Sequence, residues 1–211
     1  MNANIGFFDL IYLLLLLIAI VIIIENRLER ILILIGLQGF LLIFPVFQVH
    51  EFTDLHAWTL VLLIIVFKAT LPPYILNWSV QKSKMSVHTM PRFGYIATFF
   101  FFLLGLGGAI FIVNGLGELP AGIDRIEVMY IFLMIYLGII TFIIRTHWIV
   151  LICGFIMFEN GIFLLTLVLQ KGLPFGIEFG AFIDALMIIV ASSALQLRGD
   201  TIKQFTKGKT F

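Results

Sequence analysis

The chain has 211 residues, of which 62% are hydrophobic and only 12% charged, and its mean hydropathy is +1.16. A soluble domain carries about 25% charged residues, so this composition excludes a water-soluble globule and predicts a protein immersed in lipid. Thirteen basic against twelve acidic residues give a net charge of +1, which excludes the basic footprint of a nucleic-acid binder.

Seven apolar runs follow one another, over residues 7–24, 31–48, 57–79, 93–116, 128–144, 148–170 and 179–197. At about 1.5 Å per residue each can cross most or all of roughly 30 Å of hydrocarbon, and only helices satisfy an isolated span's backbone there. The prediction is an all-α membrane protein of seven transmembrane helices. No Lys or Arg precedes the first run, so it is read as a retained span rather than a signal peptide. The connecting segments fall into two sets. One holds Arg27, Arg30, Lys82, Lys84, Arg92, Arg145, Arg198, Lys203, Lys207 and Lys209; the other holds Arg125 and Lys171, with Glu51, Asp54, Glu118, Asp124, Glu127 and Glu178. Ten basic residues against two place the N-terminus outside and the tail, residues 198–211, in the cytoplasm.

A shift of 118 residues superposes Arg27 on Arg145, Ile31 on Ile149 and Gly36 on Gly154. That pattern suggests a parallel repeat of spans 1–3 (residues 1–79) and spans 5–7 (residues 128–197), joined by a linking span at 93–116. The linking span is dense in phenylalanine and has no polar face, as expected of a helix turned toward lipid or a partner.

Three ionisable residues fall inside spans: Lys68 at the middle of the third, Glu159 at the middle of the sixth, and Asp184 in the outer part of the seventh. A charge at a span centre costs about 2.5–3.5 kcal/mol even on a lenient insertion scale, and such groups commonly mark proton or ion paths. Pro72 and Pro73 follow Lys68 and deprive nearby carbonyls of helical donors. Two outcomes are consistent with that: a kink with a hydrated site around the amine, or a kink that shapes packing while an acid holds Lys68. Thr166 and Gln170 return close to the Glu159 face and extend a polar stripe toward the outer end. Asp184 suits a structural hydrogen bond as well as a relay, and Gln38 in the second span suits either glue between helices or a secondary place on the path. Cys153 is the only cysteine and lies in an apolar run, which excludes a thiolate zinc site or a cysteine-bound cluster built from this chain alone. The four histidines lie near span ends without metal-ligand spacing, and are read as interfacial residues.

The hairpin Glu25-Asn-Arg-Leu-Glu-Arg-Ile-Leu-Ile-Leu-Ile-Gly-Leu-Gln-Gly39 resembles the first hairpin of the K subunit of respiratory complex I and its cation-antiporter homologues. In that family the second span carries a buried glutamate; here Gln38 stands at about that place. The segment from Arg145 to Gly161 resembles the same pattern and contains the acid, Glu159. With Lys68 ahead of Pro72 and the stretch Ile-Glu-Phe-Gly-Ala-Phe-Ile-Asp ending at Asp184, the whole chain is most similar to the E component of hydrogenase-4-type complexes. The resemblance implies a non-catalytic membrane-arm subunit of a redox-driven proton or sodium pump in a prokaryotic cytoplasmic membrane. It further implies antiporter-like membrane subunits, a complex I-like membrane anchor subunit and a peripheral hydrogenase-type arm as partners. The chain itself would carry no cofactor; iron–sulfur clusters and a NiFe centre would belong to those partners. The rival readings are a stand-alone permease or antiporter and a purely structural membrane spacer.

Overall fold

The computed structural model describes residues 6–51, 53–83, 89–119 and 123–169. The elements are α1 (Phe7–Ile24), α2 (Leu28–Leu41), α3 (Ile43–Val49), α4 (Leu55–Leu63), a π-helix (Ile64–Thr70), α5 (Leu71–Ser83), α6 (Gly94–Gly115), α7 (Arg125–Ile144) and α8 (Trp148–Leu169). Among the described residues the protein is all-α, and six stretches are long and apolar enough to cross a membrane: Phe7–Ile24, Leu28–Val49, Ala57–Gln81, Gly94–Gly115, Arg125–Ile144 and Trp148–Val168. This is the make-up of a multi-pass membrane protein. The seventh predicted span, residues 179–197, which is the third span of the second repeat unit, lies outside the described residues.

The second and third spans are each built from more than one element, and proline accounts for both. Pro45 has no amide hydrogen to give the Leu41 carbonyl, and the second span changes register at Leu42 before continuing as α3. In the third span the helix widens ahead of Pro72 and Pro73 into the π-helix, closed by a bond from the Leu71 amide to the Val66 carbonyl. The Thr70 hydroxyl donates to the carbonyls of Ile65 and Val66, at 2.9 Å each, and so supplies part of the bonding that the wide turn loosens.

α7 and α8 form the central hairpin, α1 packs along α7, and α2 lies against the π-helix, α5 and α8. Small residues permit the closest of these approaches. A Cβ at Gly138 would lie 2.5 Å from the Phe158 amide nitrogen, and one at Gly39 would lie 2.5 Å from the Lys68 carbonyl carbon. At both positions one helix rests on the backbone of another. α6 packs chiefly on α7 and leaves Ile96, Phe99, Phe100, Leu104 and Phe111 exposed. Only 22% of its span is buried, against 56% for Trp148–Val168, so α6 is the helix turned outward.

At one end of the bundle the connections interlock. The Thr89 amide donates to the Asn26 carbonyl at 2.8 Å and the Arg92 amide to the Ile144 carbonyl at 2.7 Å. Arg145, only 2% exposed, ties these connections together. Its guanidinium donates to the carbonyls of Ile23 and Glu25, to the Asn26 side chain, and to the Thr89 carbonyl and hydroxyl. The carbonyls of a last helical turn have no intrahelical donors, and a cation there also complements the helix dipole, so one arginine completes the end of α1. Arg27, Arg30, Arg92 and Arg145 thus share one end of the molecule.

Candidate functional site

Each of three helical segments brings a fully or almost fully buried polar residue to the middle of its span. Gln38 on α2, Lys68 on the π-helix and Asn160 on α8 lie near the centres of Leu28–Val49, Ala57–Gln81 and Trp148–Val168, and their exposures are 0%, 3% and 0%. They are bonded in series. The Lys68 ammonium donates to Asn160 Oδ1 at 3.3 Å, Asn160 Nδ2 donates to Gln38 Oε1 at 3.2 Å, and Gln38 Nε2 donates to the Leu15 carbonyl and the Met134 sulfur, both at 3.4 Å. The Phe163 ring centroid lies 5.6 Å from the amine and adds a cation–π contact.

The direction of these bonds follows from the chemistry of the lysine. An ammonium offers only donors, so the Asn160 oxygen must face it; that turns the Asn160 amide nitrogen toward Gln38, and the Gln38 nitrogen toward Leu15. The Asn160 oxygen is thereby aimed at the Lys68 amine and the Gln38 oxygen at the Asn160 amide nitrogen. Aligned polar groups in low dielectric are strong individually and reinforce one another.

The π-helix and the glycines of α2 set the position of the amine. Gly36 and Gly39 face the backbone of Ala69 and Lys68, where a Cβ on Gly36 would lie 3.1 Å from the Ala69 carbonyl oxygen. The stretch ahead of Pro72 and Pro73 is accommodated by a widened helix seated on a glycine face. Lys68 and Gln38, both selected from the sequence, come together here; the residue that joins them, Asn160, was not selected. Glu159 precedes it on α8, half-buried and about 100° round the helix. Thr166 is half-buried further along the same helix. Gln170 and Asp184 lie outside the described residues.

A second buried polar group occupies the opposite end of the bundle from Arg145. The Tyr12 hydroxyl donates to Gln48 Oε1 at 3.0 Å, and Gln48 Nε2 donates to both Glu127 carboxylate oxygens at 2.9 and 3.1 Å. Glu127 also accepts the Asp124 amide in the capping box of α7. The charge map counts Glu127 as a loop acid, yet it is 4% exposed inside the first turn of a span. Leu15, whose carbonyl receives Gln38, lies one turn along α1 from Tyr12, so this helix adjoins both groups.

Outside the spans, burial pushes the His147 imidazole and the Arg145 guanidinium below their ordinary values, the latter opposed by Tyr95 and Glu25. Glu25 is held below the usual carboxylate value, first by the Arg27 amide and then by the Asn26 amide and by Arg30, whose guanidinium lies 3.4 Å away. Comparison with protein-family models, with curated proteins and with solved structures finds no match to this chain.

Proposed function

We propose that this chain is a non-catalytic membrane-arm subunit of a complex I-related, redox-driven proton or sodium pump of the membrane-bound hydrogenase type. The observation that carries the reading is a lysine at mid-span, on a π-helix, whose ammonium is held by Asn160 and, through it, by Gln38. A lysine so deep in a span is costly to maintain for packing alone, since an apolar side chain of similar length would fill the same volume. As a fixed charge next to an ion path it has a use. It lowers the energy of an anion at Glu159 or on an apposed subunit and repels an arriving cation. Asn160 and Gln38 fix the position of the amine, and a change in the π-helix that lengthens its bond to Asn160 would move that charge relative to the path.

On this reading the chain has seven spans in a prokaryotic cytoplasmic membrane, with the N-terminus outside and the tail in the cytoplasm. The first K-like unit contributes Lys68 and Gln38, the second Asn160, Glu159 and Thr166, with Gln170 and Asp184 extending the path. Electrons travel through iron–sulfur clusters and a NiFe centre in partner subunits, while antiporter-like subunits beside this chain move ions.

Purification of the tagged chain in mild detergent, followed by mass spectrometry, tests the assignment. The expected result is co-isolation of antiporter-like membrane subunits, a complex I-like anchor and a cluster-bearing peripheral arm. Isolation of this chain alone as an active transporter would replace the reading with a stand-alone permease.

A further inference from the structure

α6 leans on α7 and stands away from α1, leaving a cleft whose floor is α7. The cleft encloses a cavity of about 500 Å³ walled by residues such as Ile20 and Ile24 of α1, Thr98 and Phe102 of α6, and Leu137 and Ile140 of α7. Its lining is almost wholly apolar. Even Thr98 presents no unused donor, because its hydroxyl bonds to the Gly94 carbonyl at 2.9 Å. All three walls come from the last turns of α1 and α7 and the first turns of α6, so the cavity lies in one half of the bilayer. It ends beside the interlocked connections, where Tyr95 lines it and accepts a hydrogen bond from Asn26.

That end of the cleft is cationic. The Arg92 amide is bonded to the carbonyl of Ile144, itself a lining residue, and its guanidinium lies over the Phe93 ring, 5.4 Å from the centroid. Arg27, next to Asn26, is exposed, as is Arg92. Arg145 lies beneath, occupied by its own five acceptor groups. Arg30 offsets Glu25. An occupant matched to this shape has a long apolar part for the cleft and an anionic group for its mouth.

We propose that the cleft between α1 and α6 binds an acyl chain of an anionic phospholipid whose net negative headgroup lies against Arg92 and Arg27, which a zwitterionic headgroup with its own cation would satisfy less well. Apolar clefts of a few hundred Å³ between helices are the usual form of small-molecule sites, and basic pockets at the cytoplasmic ends of spans recognise acidic headgroups. The proposal does not depend on the ion-pump reading.

The test uses the full chain in detergent with phosphatidylglycerol or phosphatidylcholine of identical acyl chains, read by native mass spectrometry and by thermal unfolding. Phosphatidylglycerol should be retained at about one lipid per chain and should raise the unfolding midpoint more than phosphatidylcholine does. Arg92→Gln should weaken phosphatidylglycerol binding about fivefold, the factor expected for one basic residue near an acidic headgroup, and leave the midpoint in phosphatidylcholine unchanged. Ile20→Trp, which fills the cleft from its rim, should abolish retention; Ile20→Phe provides a smaller plug if the larger side chain harms folding. Equal retention of the two lipids would overturn the proposal, as would undiminished phosphatidylglycerol binding in Arg92→Gln or in the folded plug variant.

Discussion

Substituting Gly39 by Ala tests whether the glycine face of α2 positions the Lys68 backbone. The added Cβ would lie 2.5 Å from the Lys68 carbonyl carbon and 2.9 Å from the Ala69 Cα, all backbone that no rotamer change can move. Ordinary contact begins near 3.4 Å and the Lys68 carbonyl oxygen would lie closer still than its carbon, so α2 and the π-helix must part by roughly 1.2 Å. Overpacking of this kind costs up to about 3 kcal/mol, and the better helix propensity of Ala returns about 1, leaving a loss of about 2 kcal/mol. For a chain of this size that corresponds to a melting point lower by about 4–8 °C. The same separation would stretch the bond of 3.3 Å from Lys68 to Asn160, so the structural and functional losses should occur together. Gly36→Ala, with its nearest atom at 3.1 Å, should be close to neutral, and Gly107→Ala, with nothing within 4 Å, neutral or slightly stabilising. Thermal unfolding of the three variants in one detergent gives the order. A Gly39→Ala protein as stable as Gly107→Ala would show that the close approach does not exist.

Asn160→Leu should cost about 1–3 kcal/mol, because it removes the acceptor 3.3 Å from the buried Lys68 ammonium and the donor to Gln38 Oε1; combining it with Lys68→Met should recover part of that loss in a double-mutant cycle. Arg145→Lys should fail to restore what Arg145→Ala loses, since a single ammonium cannot reach the carbonyls of Ile23, Glu25 and Thr89 at once; limited proteolysis at the interlocked end would report the loosening. His147 is depressed by burial, so the unfolded chain binds the proton more readily; its contribution is complete above the ordinary value of 6.5 and declines as pH falls through the lower folded value. Unfolding midpoints should therefore drop on acidification below about 6.5, and His147→Phe should flatten that slope; an unchanged slope would assign it to other groups.

The spans were legible because the bilayer writes them as uninterrupted apolar runs, and the six that can be compared agree with the observed helices to within three residues. Lys68 and Gln38 were legible for the same reason, a polar side chain being conspicuous in such a run. Asn160 was not, since it carries no charge and stands beside the more conspicuous Glu159. The pair Pro72 and Pro73 marked where the third helix would be disturbed, but the form of the disturbance depends on Gly36 and Gly39, distant in sequence, which admit a widened turn. Counting charges by side assigned Arg145 and Glu127 to connecting segments. Both are buried, because helix ends here bring their own unsatisfied backbone groups against them. Charge counting reports which end of a span a residue occupies, and burial there is decided by neighbours that sequence order does not reveal.

Ion uptake per electron transferred, measured in vesicles containing the intact complex with Lys68→Met, bears most directly on the proposed role. Methionine keeps the length and much of the volume of lysine and removes the charge. Assembly and redox turnover should persist while uptake of protons or sodium ions per turnover falls toward background, with Glu159→Gln falling in the same direction. Wild-type uptake in an assembled Lys68→Met complex would contradict the account and leave Lys68, Asn160 and Gln38 as glue between helices.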